Sequence, residues 1–227
     1  MLISVHLPKA AGSSLELSLR DHFGEGLVRV HDRPIHMPPL RRNLRAAGLC
    51  VVNAFQRFPG LACIHGHFLP LKYLSLRYTR GAKFVTWLRD PAQRLISHYH
   101  YFVRTYAPET QSQLQKKVVE ENWSLEQFCL CPDLKNFYCQ FLWGFPLRCF
   151  DFIGFVEHFD EDFEIFTRRF LGAELPSYRD NVNADRKDRI YPVDAALQPK
   201  LEAFHSRDFD LYRTLLARRA AWRAAGR

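Results

Sequence analysis

Val5–Leu19, VHLPKAAGSSLELSL, is the stretch that decides the fold. An apolar run meets Pro8-Lys9, passes through small residues and enters a helical pattern in which Leu15, Leu19 and Phe23 recur at fourfold spacing. The order is strand, turn, helix. Ser13 and Glu16 fit the S-x-x-E capping box, which predicts a helix beginning close to Ser13. Gly12 permits a tight turn into that helix, and Ala10 and Ala11 keep side chains out of the way. A helix N-terminus offers N–H groups and a positive dipole end to an anion, and Lys9 adds a full charge. Lys9, Ala10, Ala11, Gly12, Ser13 and Ser14 are therefore the expected anion-binding residues. No Gly-Lys-Ser/Thr follows the small residues, so the usual magnesium ligand of a Walker A loop is missing. That speaks against a metal-dependent kinase or ATPase.

Further along, KFVTWLRDPAQRLISHYHYF (residues 83–102) repeats the strand-to-helix design. Asp90 suits the N-cap, Pro91 the first helical position, and Gln93 can close a capping box. Arg89 falls at the strand's carboxyl end, where open α/β sheets bind ligands. A guanidinium there can fork onto a second phosphate, with Ser97 adding a hydroxyl two turns into the helix.

The remaining sequence sets the frame. The chain has 227 residues, 47% hydrophobic and 25% charged, which suits one well-buried α/β domain over residues 1–227. Segments 2–7, 49–54, 61–65, 83–88 and 151–156 read as strands, with helical patterns between them. Phe159, Phe163, Phe166 and Phe170 form a stripe that would pack on a sheet. The alternation predicts a central parallel sheet, P-loop-like, with helices on both faces. HDRPIHMPPLRRN (31–43) and YRDNVNADRKDRIYP (178–192) read as loops. The six cysteines lack paired C-x-x-C spacing and read as buried reduced thiols. No apolar run nears the roughly 20 residues of a membrane helix, and no basic leader precedes the first strand. The expectation is a cytoplasmic protein, or a lumenal enzyme separated from its anchor. The net charge of +8 favours anionic partners. Part of it sits in the tail ARRAAWRAAGR, and no nucleic-acid-binding motif accompanies it.

HLPKAAGSSL and FVTWLRDPAQRLISHYHYF together resemble the paired signatures of the sulfotransferase superfamily, in the carbohydrate branch that includes heparan sulfate 2-O-sulfotransferase. DFIGFVEHFDEDFEIF and FDLYRTLL resemble its later landmarks. The resemblance implies 3′-phosphoadenylyl sulfate (PAPS) as the sulfuryl donor and PAP as the product, with no metal required. It gives the 5′-phosphosulfate to residues 9–14 and the 3′-phosphate to Arg89 and Ser97. Ala10 and Ala11 stand where the family often has Thr or Gly, leaving backbone N–H groups to hold the anion. Asn183 and Arg186 match the family segment that closes over the nucleotide. His65-Gly66-His67 matches the H-x-H stretch that carries the catalytic base, and alternate residues of a strand point to one side. His67 is the expected base, with His65 orienting the acceptor or serving as an alternative base. His31, His36, His98 and His100 rank lower. The implied reaction is sulfuryl transfer to a hydroxyl of a glycan or small metabolite. The alternatives are a P-loop small-molecule kinase and a non-catalytic nucleotide- or glycan-binding module.

Overall fold

A computed structural model describes residues 1–32, 34, 37–110, 112–173, 175 and 190–224. The strands are β1 (Leu2–Val5), β2 (Leu27–His31), β3 (Cys63–His67), β4 (Lys83–Leu88) and β5 (Phe150–Phe155). The helices begin with α1 (Gly12–Phe23), α2 (Pro39–Phe55), α3 (Leu74–Arg80), α4 (Pro91–Arg104) and α5 (Gln113–Glu120). They continue with α6 (Leu125–Cys129), α7 (Phe137–Phe141), α8 (Phe159–Phe166), α9 (Leu197–Phe204) and α10 (Ser206–Ala224). The chain divides into two compact units, Met1–Leu88 with Tyr138–Asp185, and Arg89–Phe137 with Arg186–Arg227.

The first unit holds one parallel sheet in the order β2-β3-β1-β4-β5. From central β1 the chain runs to one edge of the sheet, and from β4 to the other. Such a reversal marks the carboxyl ends of the middle strands as a ligand crevice. β4 forms because KFVTWL is β-branched and aromatic, and everything after Lys83 is buried. The phenylalanine stripe packs as its spacing predicts. Phe159 and Phe166 lie against the Trp87 ring, and Phe163 is buried beside them. The α/β class and the parallel sheet flanked by helices agree with the sequence.

Three assignments differ, one being residues 39–43, read as the end of a loop, which form the start of α2. Residues 49–54 are not a strand but the last turns of α2, which starts with Pro39 at its first position. Their β-branched run suggests an extended chain, but α2 buries Arg42, Ala46 and Asn53 and turns several apolar residues outward. Arg42 donates to Gln140 at 3.3 Å and Asn53 to the Lys72 carbonyl at 2.9 Å, so the inward face is polar and satisfied. The sheet's fifth strand is instead β2, LVRVH, an edge strand with no fully buried residue and therefore little apolar signal.

The second unit is helical. Ala92 and Leu95 of α4, Phe128 of α6, Leu201 of α9 and Phe209 of α10 belong to one apolar core. All six cysteines are free thiols. Burial pushes the Cys129 thiol up to about 12, so it stays protonated and inert.

Candidate active site

The turn after β1 takes an unusual backbone path. Lys9 has φ 68° and Ala11 φ 57°, left-handed values that non-glycine residues rarely adopt. Each costs on the order of 1–3 kcal/mol, and such strain concentrates at ligand clamps. Ala11 is the N-cap of α1, makes no side-chain hydrogen bond, and no acidic residue stands in the first turn. The positive end of α1 is thus left without a carboxylate of its own, which suits an anion. The helix begins at Gly12, so Ser13 lies inside it and the capping box is not formed. Glu16 instead accepts from Arg29 of β2 at 3.1 Å.

Gly12 has a different reason from a tight turn, since the left-handed dihedrals fall on its neighbours. A Cβ at Gly12 would lie 1.6 Å from Nε2 of His6. The first residue of α1 rests on the face of that imidazole, and only glycine fits.

His6 is the centre of a stack that sequence reasoning missed. Its ring lies 4.2 Å from that of His67 (interplanar angle 28°) and 5.3 Å from that of His65 (22°). His31, at the end of β2, adds a tilted ring 5.3 Å from His67. The sheet register explains this: Ser4 pairs with His65, and His31 with His67. His6 then follows two residues after Ser4, on the same side of the sheet. Gly66 has φ 145°, and a Cβ there would meet the Val30 carbonyl at 2.0 Å, so β2 and β3 can approach only around a glycine.

The hydrogen bonds fix the tautomer of His67. Its Nδ1 lies 2.8 Å from the His6 carbonyl, which can only accept, so Nδ1 carries the proton and Nε2 the lone pair. Burial lowers the His67 pKa first; its bond to the His6 carbonyl and the charge of Glu16 partly oppose this, while His31 lowers it further. His65 has no exposed surface. Its Nδ1 meets Ser4 Oγ at 2.9 Å, its Nε2 has no partner, and burial brings its pKa to about 3. Burial, then the neighbouring histidines and Lys9, hold His6 well below the usual imidazole range. These are neutral rings. Among the described residues no three His, Cys, Asp or Glu side chains converge as metal ligands.

The second anion candidate lies in the second unit. Asp90 caps α4, its carboxylate accepting from the Gln93 N–H at 3.0 Å, with Pro91 at the first position. Gln93 does not close a capping box, because its amide is committed elsewhere. It donates to the Tyr191 carbonyl at 2.9 Å and accepts from the Tyr191 N–H at 2.6 Å. Arg89 is 8% exposed, with its guanidinium 5.7 Å from the centre of the Tyr191 ring. Ser97 is equally buried on α4. His98 packs against Phe102 and Phe128, and His100 stacks on Tyr191, which accounts for both as packing residues. His36, Asn183 and Arg186 lie outside the described residues.

An all-parallel sheet with β1 at its centre and a small-residue turn into α1 defines the P-loop-like α/β class. Within it, the chain is similar to the sulfotransferase from Alicyclobacillus acidocaldarius, with a TM-score of 0.50 and 18% identity over 95% of each chain. That match shows the fold. A looser one, at a TM-score of 0.38 and 16% identity, is the mouse sulfotransferase SULT7A1 complexed with PAP. It covers 89% of this chain, which spans 62% of the mouse chain's length. No protein-family model and no curated protein matches the sequence.

Proposed function

We propose that the chain is a sulfotransferase, acting as one domain over residues 1–227, that transfers a sulfuryl group from PAPS to an acceptor hydroxyl. The observation that carries this reading is the form of His67: neutral, with Nδ1 committed to the His6 carbonyl and Nε2 left basic, on the strand beside a strained, uncapped anion turn. The sulfotransferase fold supports it.

The residues fit a phosphosulfate, since α1 opens with no cap and no acid and Lys9 stands in the turn. PAPS supplies the sulfuryl group and departs as PAP. Residues 9–14 hold the 5′ end, and Lys9 balances the negative charge that grows on the departing phosphate. Arg89 and Ser97 are assigned the 3′-phosphate from their sequence motif. His67 Nε2 takes the proton of the acceptor hydroxyl, and the imidazolium keeps its Nδ1–H on the His6 carbonyl. His65, fully buried and bonded to Ser4, positions the stack. The acceptor is a hydroxyl of a glycan or a small metabolite.

The test is transfer of label from radioactive PAPS to a panel of hydroxylated compounds. Wild type labels at least one. His67→Ala loses at least ~10²-fold in kcat while keeping its affinity for PAP. Unchanged turnover in that variant places the base elsewhere, and PAP binding without transfer to any acceptor favours a non-catalytic module.

A further inference from the structure

The inverted helix α2 is not explained by sulfuryl transfer. Leu40, Leu44, Val51, Val52 and Phe55 are 73, 64, 63, 57 and 84% exposed, although α2 is a well-formed helix packed on α3. At 3.6 residues per turn, Leu40, Leu44, Val51 and Phe55 fall within an arc of about 60° and run about 22 Å along the helix. Single exposed apolar residues are ordinary; a continuous stripe is not.

The charges beside the stripe say what covers it. Arg41 and Arg45 are exposed on its flank, and Arg57 is exposed just past the helix end. α2 contains no Asp or Glu. Two copies meeting through this face would bring arginines together with no carboxylate to pair them. A protein partner would need an apolar groove lined with carboxylates for these arginines, whereas an anionic lipid surface offers negative charge along the whole length of the helix. A convex apolar stripe edged with arginine fits a fluid apolar layer beneath a negative surface. Arginine stems can lie along the apolar region while their guanidiniums reach the headgroups. No helix among the described residues is long and apolar enough to cross a membrane, so such a contact lies in the plane of the interface.

We infer that α2 docks the protein on an anionic lipid surface, with Leu40, Leu44, Val51, Val52 and Phe55 entering the acyl boundary and Arg41 and Arg45 meeting the headgroups. This does not depend on the sulfotransferase reading. The test is co-sedimentation of the full chain with phosphatidylcholine vesicles, with and without phosphatidylserine, at about 0.15 M salt. Wild type sediments with the phosphatidylserine vesicles and not with phosphatidylcholine alone. Arg41→Gln with Arg45→Gln weakens binding roughly 30-fold. Leu44→Ser with Phe55→Ser, at unchanged net charge, removes it. Both pairs point to solvent and keep the wild-type melting temperature; should one not, Phe55→Ser alone gives the same reading in smaller measure. Absence of sedimentation overturns the inference, as does binding that survives loss of the apolar pair. A concentration-dependent dimer that Leu44→Ser with Phe55→Ser dissociates would assign the face to a second copy instead.

Discussion

α1 and α4 each start directly after a central parallel strand, and they start in opposite ways. α4 is closed by its own sequence: Asp90 accepts the Gln93 N–H, and Pro91 removes a donor that would otherwise need a partner. α1 is open. Its N-cap is an alanine in a left-handed conformation, its first turn has no acid, and its first residue is a glycine pressed on an imidazole. An anion at α1 would meet backbone N–H groups and the helix dipole with Lys9 beside them, whereas one at the later segment would meet the side chains of Arg89 and Ser97.

The sharpest way to break that contrast is Gly12→Ala. The added Cβ overlaps the His6 ring, so we expect PAP affinity to fall at least ~10²-fold together with a stability loss of about 1–3 kcal/mol. Adding His6→Ala should restore part of both, as measured by titration calorimetry and melting curves. Additive losses in the double variant would show that the contact is not what requires glycine.

Acid should separate the two helix starts next. His6, His65 and His67 have lowered pKa values in the fold, against an ordinary value near 6.5. A lowered folded pKa means that the unfolded state binds more protons. The stabilisation is therefore full above about pH 6.5 and is lost as pH falls below it toward the folded values. For His65, whose folded value is about 3, the slope approaches about 1.4 kcal/mol per pH unit. Denaturant titrations between about pH 7 and 4 should show this slope, and His65→Asn should reduce it. The acid limb of kcat/KM should likewise lie below the usual imidazole range, because His67 is lowered.

Smaller effects distinguish the caps themselves. Asp90→Ala should cost about 1 kcal/mol, while Asp90→Asn should cost little. Ala11→Gly should do the reverse and stabilise by up to about 1 kcal/mol by relieving the left-handed alanine. Melting temperatures decide both. Destabilisation by Ala11→Gly would mean that the turn stores no strain.

The same contrast governs what the sequence made legible. α4's start was readable because Asp90, Pro91 and Gln93 are neighbours and capping is local. What Gln93 does with its amide was not, because its partner Tyr191 lies 98 residues away. The small residues of the α1 turn suggest an anion site, but the reason for Gly12 lies in the His6 ring, which no local pattern of that turn reveals. His65 and His67 were visible from their alternation. His6 and His31 join them only through the register of three parallel strands, which no local pattern encodes. β2 escaped notice as a half-exposed edge strand, and α2 because its apolar residues face away from the core.

Calorimetric titration of PAP and of adenosine 5′-phosphate, against wild type and Arg89→Ala, tests the account most directly. The proposal predicts that wild type prefers PAP by roughly 10–100-fold, the worth of a charge-assisted hydrogen bond, and that Arg89→Ala binds the two alike. Equal affinities in wild type, or a preference that survives loss of Arg89, would contradict it.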